Sequence, residues 1–170
     1  GLKHCDVAKT EWEERIQHAA ADCSLSALLQ EDPILLPRSL RQRVALASVL
    51  AVQTGILVLD EPTSAQDEKE TQRLMKLVMQ LVEKGRTVVL VSHDMELVAR
   101  YADRVLVLIE GTLHADCPVG QFFNNTSLLE QASLKVPGLY RLASKLNLEP
   151  FSGKGFNASA LADMIAGIPL

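Results

Sequence analysis

The stretch Ile56-Leu57-Val58-Leu59-Asp60-Glu61-Pro62-Thr63-Ser64 decides how the rest of the chain is read. Four apolar residues run straight into two carboxylates and a proline. A short apolar run bounded by turn signals is the pattern of a strand buried on both faces, as in a parallel sheet covered by helices. Asp60 and Glu61 then stand at the carboxyl edge of that sheet, where open α/β folds bind ligands. Pro62 stops the strand because it has no N–H to give to a ladder. Solvated acids at an ordinary strand end are the alternative, and the downstream residues bear on the choice.

Upstream, Gln53-Thr54-Gly55 turns the chain into this strand. Before it, Ser39 is placed to cap a helix running from Leu40 or Arg41 to about Val52. Arg41 and Arg43 make its first turn basic, which opposes the helix dipole unless an anion or acid lies nearby. From Val44 to Val52 it is apolar on nearly all sides, the mark of an interior helix. Earlier still, Thr10-Glu11-Trp12-Glu13 reads as a capping box. A helix to about Cys23 follows, with Trp12, Ile16, Ala19, Ala20 and Cys23 on one face and Trp12 as a packing residue. A short helix over Ser24–Leu29 and a loop at Glu31-Asp32-Pro33 complete this part.

Downstream of Asp67 a long amphipathic helix buries Leu74, Leu77, Val78, Leu81 and Val82, and Gly85 stops it. Thr87–Val91 reads as a second buried strand, ending in Ser92-His93-Asp94. A short helix over Met95–Tyr101 leads to a third strand, Arg104–Ile109, and Gly111 turns that strand into a hairpin partner at Thr112–Ala115. Alternating strands and helices imply right-handed crossovers and a mainly parallel sheet, an α/β fold. Beyond Pro118, helices are expected around Val119–Phe123, Ser127–Gln131, Gly138–Leu146 and Ser159–Ala166, with a loop from Pro150 to Asn157.

The 170 residues suffice for one domain with a real core. An apolar share of 48% against 22% charged excludes a disordered chain. A net charge of −4 leaves no basic footprint for nucleic acid, and 4% aromatics leave few stacking platforms for single strands. Cys5, Cys23 and Cys117 are scattered and odd in number, which suits reduced thiols rather than a disulfide frame or zinc site. No apolar run approaches the roughly 20 residues of a membrane helix. The start, Gly-Leu-Lys-His, reads as that of a piece of something longer.

Phosphoryl transfer to water needs a hard cation, a residue orienting the water, and donors for the departing charge. Asp60 suits Mg²⁺, which prefers carboxylates and keeps part of its hydration. Glu61 is placed to polarise the attacking water. His93 ends the strand expected beside Asp60-Glu61, so it is a candidate donor to the γ-phosphate or the water, although a lone histidine after a strand is commonly a surface residue.

Leu59-Asp60-Glu61-Pro62-Thr63-Ser64-Ala65-Gln66-Asp67 resembles the Walker B motif and D-loop of an ABC-type ATPase, usually L-D-E-P-T-x-x-L-D. Val91-Ser92-His93-Asp94 resembles that family's switch-histidine segment, and Arg41-Gln42-Arg43-Val44-Ala45-Leu46-Ala47 resembles the helix after its signature loop. The likeness runs from about Leu2 to Leu146. Met95-Glu96-Leu97-Val98, Ala102–Val107 and Pro137–Ala143 look most like the ATPase subunits of energy-coupling-factor importers of cobalt, nickel or vitamins. The resemblance implies a partial P-loop NTPase core of mainly parallel sheet, preceded by part of the helical subdomain and followed by a helical extension. It divides the chain into 1–53 (helical subdomain with the signature region), 54–116 (Walker B, D-loop and switch histidine) and 117–170 (the extension).

It further implies Asp60 as the Mg²⁺ residue, Glu61 as catalytic base, His93 as γ-phosphate sensor, and Ser64 to Asp67 as a D-loop meeting a partner subunit. ATP and Mg²⁺ would be the cofactors, and the partners a second ATPase subunit and a transmembrane coupling subunit, not nucleic acid. The place would be the cytoplasmic face of the cell membrane. Three departures qualify this. Gln66 stands where the family usually has Leu, which weakens an apolar contact across the dimer. The signature loop, usually L-S-G-G-Q, aligns with Leu36-Pro37-Arg38-Ser39-Leu40; Pro37 lacks both hydroxyl and N–H, and Arg38 and Ser39 add side chains where backbone should approach phosphate. No G-x-x-x-x-G-K-[S/T] cradle is present in the 170 residues, since in the family it lies upstream of Leu2. The expected function is thus the C-terminal part of an importer's ATPase subunit, inactive alone. The alternatives are a non-catalytic docking module and a soluble ABC protein of translation. Against the latter stand the acidic balance and Met95, where such proteins usually carry Arg.

Overall fold

The apolar run at Ile56 forms β1 (Ile56–Asp60), and Thr87–Val91 forms β2 parallel to it, with Asp60 opposite Val91. The computed structural model describes residues 2–5, 7–64, 66–146, 148 and 158–166. The expected loop from Pro150 to Asn157 lies outside them. The chain divides into two units, Gly1–Val91 and Ser92–Leu170, each taken by itself.

In the first unit, α1 (Lys9–Asp22) and α2 (Arg38–Leu50) pack against each other, separated by 3₁₀ turns at Ser26–Leu28 and Pro33–Leu35. A further 3₁₀ turn covers Leu2–His4. After β1, α3 (Glu68–Glu83) returns the chain to β2, and Gly85, at φ +84°, takes the left-handed position that ends the helix. One core joins Ala19, Ala20, Leu46, Leu50, Leu57 and Leu81.

Several expectations need correction here. The capping box does not form: α1 begins at Lys9 after Ala8 and has no side-chain cap, so Thr10 is already helical. Trp12 Nε1 instead donates to the carbonyl of Val7 at 3.1 Å. Ser39 is not a cap either, because α2 starts at Arg38 with Pro37 as its N-cap. Proline's fixed φ and missing N–H suit a helix start, and α2 begins two or three residues before the expected Leu40 or Arg41. Nor is α2 an interior helix: Leu46 and Leu50 are buried, while Ala45, Ser48 and Val49 are exposed. β1 is covered on one face only. Leu57 is 2% exposed, whereas Ile56 and Val58 are each 62% exposed. The parallel register pairs Val58 with Val89, also exposed, so both strands present one bare apolar face.

The second unit opens with α4 (Met95–Tyr101), then β3 (Arg104–Ile109) and β4 (Thr112–Pro118) as an antiparallel hairpin. Glu110 and Gly111 lie at φ +50° and +77°, and paired positive φ values match the twist of a tight hairpin. Among the described residues β3 pairs only with β4, so the parallel sheet of this α/β fold is small, the β1–β2 pair. α5 (Val119–Asn124), α6 (Thr126–Gln131), α7 (Gly138–Lys145) and α8 (Ala158–Ala166) follow. Phe122, Phe123 and Tyr140 centre their core, with ring centroids 4.8 and 4.7 Å apart. No described helix is long and apolar enough to cross a membrane.

Leu57→Ala should cost about 2–5 kcal/mol in urea unfolding and Val58→Ala under about 1, because only the first leaves a cavity. Burial, helped by the charge of Asp22, raises the Cys23 thiol from 9.0 to about 11. Below pH 9 the thiol is protonated in both folded and unfolded chains, so it leaves stability unchanged. Between pH 9 and about 11 the unfolded chain loses the proton first, so stability falls as pH rises. Cys23→Ala should flatten that alkaline decline in pH-dependent unfolding.

Candidate functional site

The register that puts Asp60 opposite Val91 continues for one more bond: the Glu61 N–H donates to the Val91 carbonyl at 2.9 Å. The chain then leaves the sheet through Glu61 at φ +44°. A left-handed glutamate costs on the order of 1–2 kcal/mol and persists only where its surroundings hold it. The turn closes through Ser64 N–H to Glu61 O and Gln66 N–H to Thr63 O, both 3.1 Å. Asp60, at an odd step from Leu57, lies on the exposed face with Ile56 and Val58.

A second set of bonds brings α2 to this turn. Gln42 Nε2, on α2, donates to the Pro62 carbonyl at 2.6 Å. Gln66 Nε2 donates to Gln42 Oε1 at 2.7 Å and to the same carbonyl at 3.1 Å. The Asp67 carboxylate accepts from the Glu70 N–H at 2.8 Å and so caps α3. Sequence reasoning missed Gln42 and the capping role of Asp67; the Asp-x-x-Glu spacing before an amphipathic helix was the available signal for the cap.

In the segment expected to stand at the signature loop, Leu36 follows the Pro33–Leu35 turn, Pro37 is the N-cap of α2, and Arg38, Ser39 and Leu40 lie in its first turn. Arg38 is exposed, and Arg41 reaches back to the Ile34 carbonyl at 3.4 Å. The first turn of α2 carries no acid.

His93 belongs to the second unit and is exposed. Asp94 beside it accepts from the Glu96 and Leu97 N–H groups at 3.1 and 3.2 Å, capping α4, and its own N–H donates to Ser92 Oγ at 3.1 Å. His93 to Glu96 form one wall of a cavity of about 660 Å³; Ser133 to Gly138 and Arg141 form the other. Glu96 Oε1 accepts the Gly138 N–H at 2.7 Å across its edge.

Among the described residues no three His, Cys, Asp or Glu side chains are grouped to share a metal. Mg²⁺ keeps several waters and takes one or two carboxylates plus substrate phosphates, so an exposed aspartate at a strand end is a suitable donor.

Comparison with known sequences then bears on this geometry. The chain is 39% identical over 155 residues to a protein of Methanosarcina mazei, and 35% identical over 156 residues to one of Streptococcus pneumoniae serotype 4. Both carry the provisional name ABC transporter ATP-binding protein. The chain is a homologue of ABC transporter ATP-binding proteins. The two matches cover 91% and 92% of it, and it spans 26% and 28% of those curated relatives. No protein-family model matches it.

The fold of this ABC ATPase homologue agrees with that of solved structures. CbiO1 of Clostridium perfringens, part of the ABC transporter complex CbiONQ, superposes with a TM-score of 0.64 at 26% identity. That match covers 85% of this chain and 58% of CbiO1. An inward-facing transporter provisionally described as metal-chelate type superposes at 0.68, over 78% of this chain and 53% of the other. At 21% identity it bears on the fold alone.

Asp67→Ala should lower stability by about 1 kcal/mol through loss of the α3 cap, and Asp67→Asn by much less, since both side chains accept the same N–H. Urea unfolding of the two variants measures this.

Proposed function

We propose that this chain is part of an ATP-hydrolysing subunit that powers an ABC-type importer of a metal ion or vitamin. The observation that carries the reading is the end of β1. There Asp60 stands at the carboxyl edge of a parallel pair, and the next residue turns through a left-handed glutamate fixed to the neighbouring strand. Consecutive carboxylates are thereby sent in different directions, which two distinct tasks require. In this reading Asp60 holds Mg²⁺ and Glu61 accepts a proton from the attacking water. His93 donates to the γ-phosphate, a task suited to an exposed imidazole that directly precedes the Asp94 cap of α4. Mg²⁺, when bound with ATP, supplies charge neutralisation on the phosphates. Ser64 to Asp67 meet a second ATPase subunit, and a membrane-embedded subunit receives the work at the cytoplasmic face of the membrane. The functional division at 1–53, 54–116 and 117–170 belongs to the same proposal. The cobalt, nickel or vitamin branch is supported by the likeness to CbiO1.

A second reading, a docking module without catalysis, is favoured by Pro37. It opens α2 with neither a hydroxyl nor an N–H to offer a phosphate of the opposite subunit. Arg38 and Arg41, both exposed in the first turn, are cations at that place.

The 170 residues alone should show no Mg²⁺-dependent ATP turnover, because they contain no phosphate cradle. A longer protein joining them to a cradle-bearing upstream segment should hydrolyse ATP with a partner subunit. Turnover by the isolated chain would overturn the first expectation, and a longer protein that binds ATP without hydrolysis would favour the docking module.

A further inference from the structure

Gln66 occupies a place where the resembled family usually has leucine, and the roles assigned above make no use of its amide. Its side chain is turned into its own unit, where Nε2 meets two acceptors, Gln42 Oε1 at 2.7 Å and the Pro62 carbonyl at 3.1 Å. Gln42 Nε2 approaches the same carbonyl at 2.6 Å, so its amide orientation is fixed, with Oε1 left to accept. Both groups facing position 66 are therefore acceptors, and the residue there has to donate. Glutamate would set negative charge against two oxygens. Leucine or methionine would fill the space and donate nothing. The cost of this orientation is visible: Gln66 Oε1 is buried with no partner among the described residues.

The Pro62 carbonyl belongs to the residue directly after Glu61, the one left-handed residue among the described residues of this turn. On its other side Glu61 is held by its N–H bond to Val91. We infer that Gln66 is a positioning residue: with Gln42 it clamps the Pro62 carbonyl, holds Glu61 in its left-handed conformation, and couples the turn to the signature helix α2. Its consequence for hydrolysis rests on the role proposed above for Glu61, whereas the clamp itself stands on the bonds described. Movement at the start of α2 would thus reach Glu61 through two amides, within one subunit.

The test is NMR of the full 170-residue chain, reading the Glu61 Cα and Cβ shifts, which report its backbone conformation. Gln66→Met and Gln66→Glu should both move Glu61 away from its left-handed shifts, and adding Gln42→Ala to either should move it little further. In Gln66→Glu the change should reverse as pH falls through the carboxyl range, since a protonated carboxyl donates one bond. Loss of packing alone would show no such reversal. Unchanged Glu61 shifts in both single variants would overturn the inference, as would equal behaviour of Gln66→Glu at all pH values. In a longer, cradle-bearing protein that hydrolyses ATP, Gln66→Glu should lower kcat about tenfold with KM for ATP within about twofold. An unchanged kcat there would overturn the link from the clamp to chemistry. If the unaltered longer protein hydrolyses nothing, the reading of Glu61 fails, and the Glu61 shifts still decide the clamp.

Discussion

The rest of the structure depends on the register in which Asp60 lies opposite Val91. In a strand the side chains alternate, so a slip of one residue would exchange buried Leu57 for Val58 and turn Asp60 inward. The same register delivers the Val91 carbonyl to the Glu61 N–H, and with it the anchor that lets Glu61 hold a positive φ. Leu57 under the sheet therefore supports the site as much as the core. Its burial against Leu46, Leu50 and Leu81 specifies which face of β1 is inward.

Much of this was legible in the residues. The apolar run ending in Asp-Glu-Pro located β1, its end and the two carboxylates. Leu77, Val78 and Leu81 of the α3 stripe and the Gly85 stop were visible from spacing alone, as were α4, β3 and the hairpin at Gly111, whereas buried Met75 was missed and Leu74 and Val82 are only half-buried. What spacing did not reveal was which possible local bonds form. Thr10 and Ser39 both carry good capping chemistry, yet each lies inside a helix that begins earlier. Local propensity proposes several starts, and packing chooses among them. Pro37 leads α2 because proline suits a helix start, and α1 starts after Ala8 with no side-chain cap at all.

The apolar run also overstated burial. Ile56, Val58, Val89 and Val91 are all apolar and all exposed on one face. Hydrophobicity records what a face can be covered by, and nothing in a single strand's composition says whether the cover is at hand. Asp60, Glu61 and His93 are candidates because neighbouring residues carry the motif, and the structure puts the first two at the end of β1 and His93 in the second unit. The bond from Gln66 to Gln42 was not legible, since 24 positions separate two ordinary amides. A departure from the usual leucine marked the place without revealing that the side chain turns inward to a neighbouring helix.

The central claim is that the turn after β1 aims Glu61 at an attacking water. The most direct measurement is Mg²⁺-dependent ATP hydrolysis by a protein joining this chain to a phosphate cradle, compared with its Glu61→Gln variant. The account predicts a fall in turnover of about 10²–10⁴-fold with ATP affinity retained, the range for loss of a general base. Turnover within about twofold of the unaltered protein would contradict it.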